Sequence, residues 1–267
     1  MDERFPKEVL VARYSADERL IQLLVKMRDV VGAFADVNRI TAGEGVDLRQ
    51  SVTYSVPKKY AVYSAFAAVK KDYELDTLLS KLKESPFVID ATAVDGDDGS
   101  VIDTLLFPVN FARDRVVILQ ATAVVSMFEA IQQTFGSGGS VIMYQLGHHY
   151  GRSLFAKLST TLTRPYMIKH HSYGLRILGA TGWGLPTIMS ENEALTRVDV
   201  KVEEGFLCEK SLAKGRAGYF VAGFLAGAYS FLSGKELQGV ENKCVAVGDQ
   251  ACEFSVFPEA EAKHQRR

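Results

Sequence analysis

The stretch that decides the fold of the C-terminal half is Glu241-Asn242-Lys243-Cys244-Val245-Ala246-Val247-Gly248-Asp249-Gln250-Ala251-Cys252-Glu253-Phe254. Its two cysteines flank a Gly-Asp dipeptide, which is typical of tight turns. A hairpin that turns there brings Cys244 and Cys252 onto neighbouring strands, close enough to share one ion. Glu241 comes three residues before Cys244, so a regular strand points it to the opposite face. We therefore predict that Glu241 joins the two thiols only where the strand bulges or bends.

Cys208 is the remaining cysteine of the chain, which has three in all. It can supply a further thiolate to the same ion. Four nitrogen, oxygen or sulfur ligands in a tetrahedron are what zinc requires, and a set closed by protein atoms alone is structural. The alternative is that Cys208, Cys244 and Cys252 are buried free thiols that pack as small apolar groups. The spacing leaves both interpretations open.

Upstream of this stretch lies a long uncharged segment, residues 217–234, bounded by Arg216 and Lys235. Its length reaches the lower edge of a membrane span. The chain has no second apolar segment of similar length to pack beside it. We therefore predict a helix buried in a protein core and no membrane span, with Gly223-x-x-x-Gly227 allowing close approach of a neighbouring backbone.

Several motifs around these segments resemble one known family. They are Gly215-Arg216-Ala217-Gly218-Tyr219-Phe220-Val221-Ala222-Gly223-Phe224, Gly234-Lys235-Glu236-Leu237, the Glu241–Phe254 stretch, Gly147-x-x-x-Gly151-Arg152, and Leu178-Gly179-x-x-Gly182-Trp183-Gly184. Together they resemble the 4-vinyl reductase domain family over residues 121–257. The resemblance implies a small-molecule-binding α/β domain, related in fold to nitric-oxide-sensing domains and to subunits of a vesicle-tethering complex. It also implies a homodimer.

The same resemblance implies a metal. In phenol-sensing regulators of this family, the glutamate and the two cysteines of the motif help bind a structural zinc ion. These three ligands correspond here to Glu241, Cys244 and Cys252. Those regulators place another cysteine just before the long helix, where this chain has Gly218. We therefore expect Cys208 to supply the fourth zinc ligand from a different position.

Aromatic and aliphatic side chains are abundant in the helical segments of this half. Such side chains line apolar cavities that carry a few hydroxyl or imidazole groups, although filling of an ordinary core is the commoner outcome. Each of the pairs His148-His149 and His170-His171 is expected to place one ring outside and one, hydrogen-bonded, inside. The candidate pocket residues are Phe128, Tyr144, His148, Tyr166, His170, Tyr173, Trp183, Tyr219, Phe220 and Phe224.

The first hundred residues indicate a second domain with the element order βαββαβ. A strand is predicted over Phe5–Tyr14, and the capping-box pattern Ser15-Ala16-Asp17-Glu18 predicts a helix that ends near Asp36. The later elements are strands over Val46–Val56 and Tyr60–Val69, a helix over Leu75–Lys83 and a strand over Phe87–Val94. This order gives a ferredoxin-like sheet with both helices on one side, similar in layout to ACT-type regulatory domains.

The predicted organisation is therefore α+β: an ACT-like domain over residues 1–100, connecting strands over 101–120, the small-molecule-binding domain over 121–257 and a frayed tail over 258–267. With 31 basic and 32 acidic residues the net charge is -1, so we expect no direct contact with nucleic acid. Few cysteines and an N-terminus without an apolar export signal favour the cytoplasm.

These features favour a binding protein over an enzyme. No dinucleotide fingerprint, P-loop, Gly-x-Ser-x-Gly elbow or His-Glu-x-x-His pair occurs in the sequence, so no catalytic residue is proposed. The predicted function is binding or sensing of a small hydrophobic or aromatic molecule, with a regulatory N-terminal domain. The alternatives are a vinyl reductase acting on a tetrapyrrole, or its accessory subunit, and a scaffold protein of the tethering type.

Overall fold

The computed structural model describes residues 5–57, 59–111, 113–210 and 217–260. The chain divides into two compact units, residues 1–109 and 110–267. The elements of the N-terminal unit are β1 (Ala12–Tyr14), β2 (Arg19–Met27), α1 (Ala33–Gly43), β3 (Asp47–Val56), β4 (Tyr60–Val69), α2 (Leu75–Glu84), β5 (Val88–Asp95) and β6 (Ser100–Ile102).

The N-terminal unit is an antiparallel sheet of four strands in the order β3-β4-β2-β5. With α1 after β2 and α2 after β4, this is the predicted βαββαβ ferredoxin-like arrangement, which is confirmed. In its core, alternate residues of β2 pack against both helices. These core residues include Ile21, Leu23, Val25, Val37, Leu78 and Leu82, each fully buried.

The first strand and the first helix were predicted at the wrong places. The segment that follows Ser15 is not a helix but the central strand β2, and Phe5–Tyr14 contains only the short β1, which pairs with β6. Glu18 forms an ion pair with Arg49 instead of capping a helix. Because β2 is covered on both faces, its residues form a nearly continuous apolar run, which also satisfies a three- and four-residue spacing.

The C-terminal unit is built on a second antiparallel sheet with the strand order β11-β12-β10-β9. Its elements are β7 (Asn110–Phe111), β8 (Asp114–Arg115), α3 (Ala121–Phe135), α4 (Ser137–Leu158), α5 (Arg164–Lys169), α6 (His171–Ala180), β9 (Leu185–Glu191), β10 (Val198–Glu203), α7 (Phe206–Lys210), α8 (Tyr219–Ser233), β11 (Leu237–Lys243) and β12 (Cys252–Pro258).

The uncharged segment forms α8, and its burial confirms the prediction of a core helix. Helix α8 crosses α4 at very short range. A Cβ atom built on Gly223 would lie 2.0 Å from the carbonyl oxygen of Tyr144, and one on Gly227 would lie 2.0 Å from that of His148. The contacts advance in the same direction along both helices, so the helices run parallel. Within the described residues, no helix is long and apolar enough to cross a membrane.

Two predicted features fall partly on residues that the structure does not describe. They are the Gly215–Phe224 motif, in its first two residues, and the predicted frayed tail, in residues 261–267. The beginning of that tail is ordered, since β12 extends through Pro258.

Candidate metal centre and apolar pocket

Four metal-binding side chains meet at one end of the C-terminal sheet. Cys208 lies on α7, Glu241 on β11, Cys244 directly after β11, and Cys252 at the start of β12. The pairing of β11 with β12 shifts register between Glu241 and Lys243, which is the predicted bulge. A 3-10 turn over Val245–Val247 and a glycine with positive φ close the hairpin. We call Cys208, Glu241, Cys244 and Cys252 the thiol cluster.

The ligand atoms of the thiol cluster all lie within 4.8 Å of one another. The Sγ atom of Cys208 lies 3.0 Å from that of Cys252 and 3.5 Å from that of Cys244. It also lies 3.8 Å from Oε1 of Glu241. All four residues are buried and none of the cysteines is in a disulfide. The cluster therefore has the donors of a closed tetrahedral site, gathered at short distance.

Backbone N–H groups point at these side chains. Gly218 donates to Oε2 of Glu241 over 3.1 Å, and Val245 donates to the sulfur of Cys252 over 3.4 Å. Burial raises the pKa of the Cys244 thiol, while backbone N–H groups oppose that rise. A hydrogen bond between Cys208 and Cys252 raises the pKa of Cys208 and lowers that of Cys252. The backbone N–H donors stabilise thiolate and carboxylate, which are the forms that bind a metal.

In a zinc tetrahedron, sulfur ligands about 2.3 Å from the metal lie about 3.8 Å apart. The sulfurs of Cys208 and Cys244, 3.5 Å apart, are close to this separation, whereas those of Cys208 and Cys252, 3.0 Å apart, would have to move apart to share an ion. Position 218 also faces the cluster, because a Cβ built on Gly218 would lie 2.4 Å from Oε1 of Glu241. Cys208 and position 218 thus approach the same ligand set from two different elements.

An apolar pocket adjoins the thiol cluster. The cavity itself is small, about 20 Å³, which is room for about one water molecule. Cys208 and Cys252 belong to both the pocket wall and the cluster. We call this the tryptophan pocket, and it is lined by Leu178, Trp183, Gly184, Pro186, Val202, Gly205, Phe206, Leu207, Cys208, Gly218, Val221, Cys252 and Phe254.

Rings from α4, α7 and α8 gather around Trp183. Its ring stacks on Tyr150 with centroids 5.4 Å apart and meets Phe206 edge-on at 5.7 Å. Phe220 and Phe224 also contact it, at 5.5 and 5.6 Å. The cavity between these walls is too small for an aromatic molecule, so binding one requires side chains to move.

The ten predicted pocket residues do not share one cavity. Of the ten, only Trp183 lines the tryptophan pocket. Phe220 and Phe224 pack against the Trp183 ring, and Phe128 packs against Phe220. The hydroxyl of Tyr144 accepts a hydrogen bond from the N–H of Gly239, and His148 lies against Tyr144. Tyr219 is exposed at the start of α8.

Tyr166, His170 and Tyr173 line a separate, narrow recess between α4, α5 and α6, with a cavity of about 10 Å³. There the exposed ring is His170, while His171 is buried. His171 lies within hydrogen-bond distance of the Tyr229 hydroxyl at 3.1 Å and of Glu191 at 3.0 Å. The second pair thus has one ring outside and one hydrogen-bonded inside, as predicted.

Sequence reasoning missed Phe206, Val221 and Phe254 as pocket residues. Phe206 precedes Cys208 by two residues on a helix too short to show periodicity. Val221 and Phe254 both lie inside the quoted motifs, and their nearness to Cys208 and Cys252 was the signal available. Which faces of α8 and β12 form a wall depends on packing between elements that are distant in sequence.

Residues 198–258 match the family model of the V4R domain. The matched segment contains β10, α7, α8 and the whole hairpin of β11 and β12, hence all four members of the thiol cluster. The predicted resemblance to the 4-vinyl reductase family is confirmed for these residues. No curated protein sequence matches the chain.

Solved structures similar to this chain include three proteins. The phenol-responsive sensory domain of the transcription activator PoxR, solved with phenol, is 18% identical, with 57% of this chain and 83% of that chain covered and a TM-score of 0.47. A trafficking protein particle complex subunit 3 from Naegleria fowleri, covalently bound to palmitic acid, is 12% identical, with 51% and 93% covered and a TM-score of 0.41. A vinyl-4-reductase family protein from Methanocaldococcus jannaschii is 19% identical, with 51% and 90% covered and a TM-score of 0.32.

Proposed function

We propose that the C-terminal unit binds a small apolar or aromatic molecule in the tryptophan pocket and acts as a ligand sensor. The observation that carries this proposal is the apolar pocket formed by Trp183 together with Phe206 and Phe254, the last two of which lie in the segment that matches the V4R domain. Its lining is almost entirely hydrocarbon and aromatic surface. Such a lining selects molecules by shape and by burial of apolar area rather than by charge.

We propose further that the thiol cluster holds one structural zinc ion. Cys208, Cys244, Cys252 and Glu241 would hold it, because their donor atoms are buried together within 4.8 Å of one another. Zinc held in this way crosslinks α7 to the β11–β12 hairpin and leaves no open position for a catalytic water. Three unpaired thiols at such short range also favour a reducing compartment, and we place the protein in the cytoplasm.

Sensing requires two arrangements with different affinities for the molecule. In the tryptophan pocket these arrangements are the closed one described here and one in which Trp183 or Phe206 has turned. The N-terminal unit, with its ferredoxin-like fold, is the candidate regulatory part. The reductase and tethering alternatives gain no support from the described residues of the pocket.

Trp183 allows a direct test, because it is the only tryptophan of the chain. We expect phenol or a short alkylphenol to change the emission of Trp183 in a saturable way and to raise the melting temperature. Val221→Phe fills the pocket and should abolish the change. Val240→Phe is the matched control, since Val240 lies on β11 with its side chain outside the pocket, and it should bind as the native protein does.

The ligand screen extends to fatty acids and tetrapyrroles at the same pH. If none of the three classes changes the Trp183 emission or the melting temperature, the proposed function is wrong. Equal binding by Val221→Phe and the native protein would place the ligand elsewhere, and the recess beside His170 would be the next site to examine.

We also propose that the C-terminal unit forms a homodimer through the outer faces of α3 and α4. Val125 is the buried residue of α3, and apolar side chains of both helices face outward. Between Arg115 and Arg152 the sequence has a single residue of the types Asp, Glu, Lys and Arg, namely Glu129. The apolar helix face comprises Met127, Phe135, Val141, Ile142, Leu146 and Tyr150, which are 37–61% exposed.

A further inference from the structure

Helix α7 takes part in two sites at once. Its residues Phe206 and Leu207 form one wall of the tryptophan pocket, and the next residue, Cys208, belongs to the thiol cluster. The Phe206 ring contacts that of Trp183, and the Phe206 N–H donates to the Trp183 carbonyl over 3.2 Å. Any displacement of Cys208 therefore moves the pocket wall.

A five-residue helix such as α7 is too short to be stable on its own, because nucleation of a helix is unfavourable. Its position depends on what anchors it. Leu207 and Cys208 are the buried anchors, 4% and 7% exposed. The Cys208 sulfur lies 3.0 Å from that of Cys252, so a metal shared by the two thiolates would fix α7 to the sheet.

We propose that Cys208 couples the metal to the tryptophan pocket, so that the pocket binds its molecule more tightly when the metal is present. This inference depends on the proposed function for the identity of both sites. With the metal bound, Phe206 and Leu207 are already in place and the ligand meets a formed wall. Without it, binding must also order α7, which weakens the affinity. By linkage the ligand raises the metal affinity by the same factor.

The structure offers a way to separate metal binding from this coupling. A side chain at position 218 points at Glu241 from the start of α8, and α8 is held by its own burial. The double substitution Cys208→Ala with Gly218→Cys moves the fourth ligand from α7 to α8. Because a Cβ at position 218 would lie 2.4 Å from Oε1 of Glu241 and 2.8 Å from the Phe254 ring, both side chains must shift to admit the new thiol. Native zinc stoichiometry in the double variant shows that the site is retained while α7 is no longer tied to it.

The first measurement uses the metal alone. Removing zinc from the native protein with a chelator should shift the Trp183 emission to longer wavelength, because the Phe206 side of the pocket loosens and admits water. The affinity for phenol should fall by about 5- to 150-fold, the usual range of coupling between sites. In the double variant zinc removal should change neither quantity.

Phe206→Ala gives a second variant that keeps all four metal ligands. It should bind zinc with native stoichiometry, yet its Trp183 emission should no longer respond to the chelator. Emission and phenol affinity that stay unchanged when the native protein loses zinc would overturn the coupling, as would tighter phenol binding without zinc. Absence of phenol binding in every state would instead refute phenol as a ligand, and the emission response to zinc would still decide the coupling.

Discussion

Cys208 shows what a single residue contributes to the metal site. It provides the shortest sulfur contact of the thiol cluster, yet it comes from an element more than thirty residues upstream of Glu241, on α7. A structural zinc ion stabilises the fold because the folded state binds it and the unfolded chain binds it far less well. Removing one ligand therefore lowers zinc affinity and stability together.

We expect the native protein to hold close to one zinc ion per chain and the Cys252→Ser variant to lose it. The unfolding free energy of the C-terminal unit should fall by about 3 kcal/mol or more, equivalent to a melting temperature lower by roughly 6–12 °C. Metal analysis on protein purified without a histidine tag and thermal unfolding give the two quantities. Val200→Ala is the control, since it removes buried apolar atoms of β10 and should reduce stability while zinc is retained.

A native protein without zinc and a Cys252→Ser variant with unchanged melting temperature would reduce the thiol cluster to three packed thiols. Glu241→Gln adds a finer test, because it keeps the shape of the side chain and removes its charge. We expect weaker zinc binding in Glu241→Gln than in the native protein, and an unchanged zinc affinity would exclude Glu241 from the ligand set.

Local spacing made part of this site predictable from the sequence. Cys244 and Cys252 flank a turn, so the hairpin alone brings them together, and the bulge at Glu241 follows from the same strand geometry. The pocket wall was not predictable in this way. Trp183, Phe206 and Phe254 meet only after α7 and the hairpin have packed, and no periodicity within one element reports that contact.

At the scale of elements, the crossing of α4 and α8 depends on four glycines. Gly147 and Gly151 on α4 face backbone atoms of α8, and Gly223 and Gly227 on α8 face those of α4. A methyl group at any of these positions would lie about 2.0–2.1 Å from a carbonyl oxygen, much shorter than van der Waals contact. The helices must therefore separate to accept a larger residue.

We expect Gly227→Ala to lower the unfolding free energy of the C-terminal unit by about 1–3 kcal/mol or more, the usual cost of overpacking. Urea denaturation followed by Trp183 emission reports this unit alone. Gly138→Ala on α4 is the matched control, because its Cβ would meet only Phe135 at 3.8 Å. There the substitution should be neutral or stabilise the helix by up to about 1 kcal/mol, and equal losses in both variants would argue against the close crossing.

The N-terminal unit shows where element prediction failed. The element order was correct, but β2 was interpreted as a helix, because a strand buried on both faces loses the alternation that identifies it. The buried Gln22 within β2 contributes to this. Its side chain donates to Asp103 over 2.6 Å and accepts from the N–H of Thr104. The polar residue within the apolar run of β2 is therefore explained by tertiary hydrogen bonds and does not mark the exposed face of a helix.

At the scale of the whole molecule, the apolar helix face provides the argument for a dimer. A two-fold interface brings each patch against a copy of itself, so like charges would meet there. A surface that is apolar and nearly free of charge avoids that repulsion and resembles the core of a homodimer interface. Exposed apolar patches of this kind mark interaction sites more often than free surface.

Leu146→Glu should convert the dimer to a monomer, since each interface would then bury two unpaired carboxylates. Light scattering coupled to size-exclusion chromatography gives the mass directly, to be compared with 29.4 kDa for one chain. Met189→Glu is the control, because Met189 is similarly exposed on β9, outside the apolar helix face, and it should leave the mass of the dimer unchanged. A native protein that elutes at the mass of one chain at all accessible concentrations would contradict the homodimer, and a native dimer that persists in Leu146→Glu would place its interface on another surface.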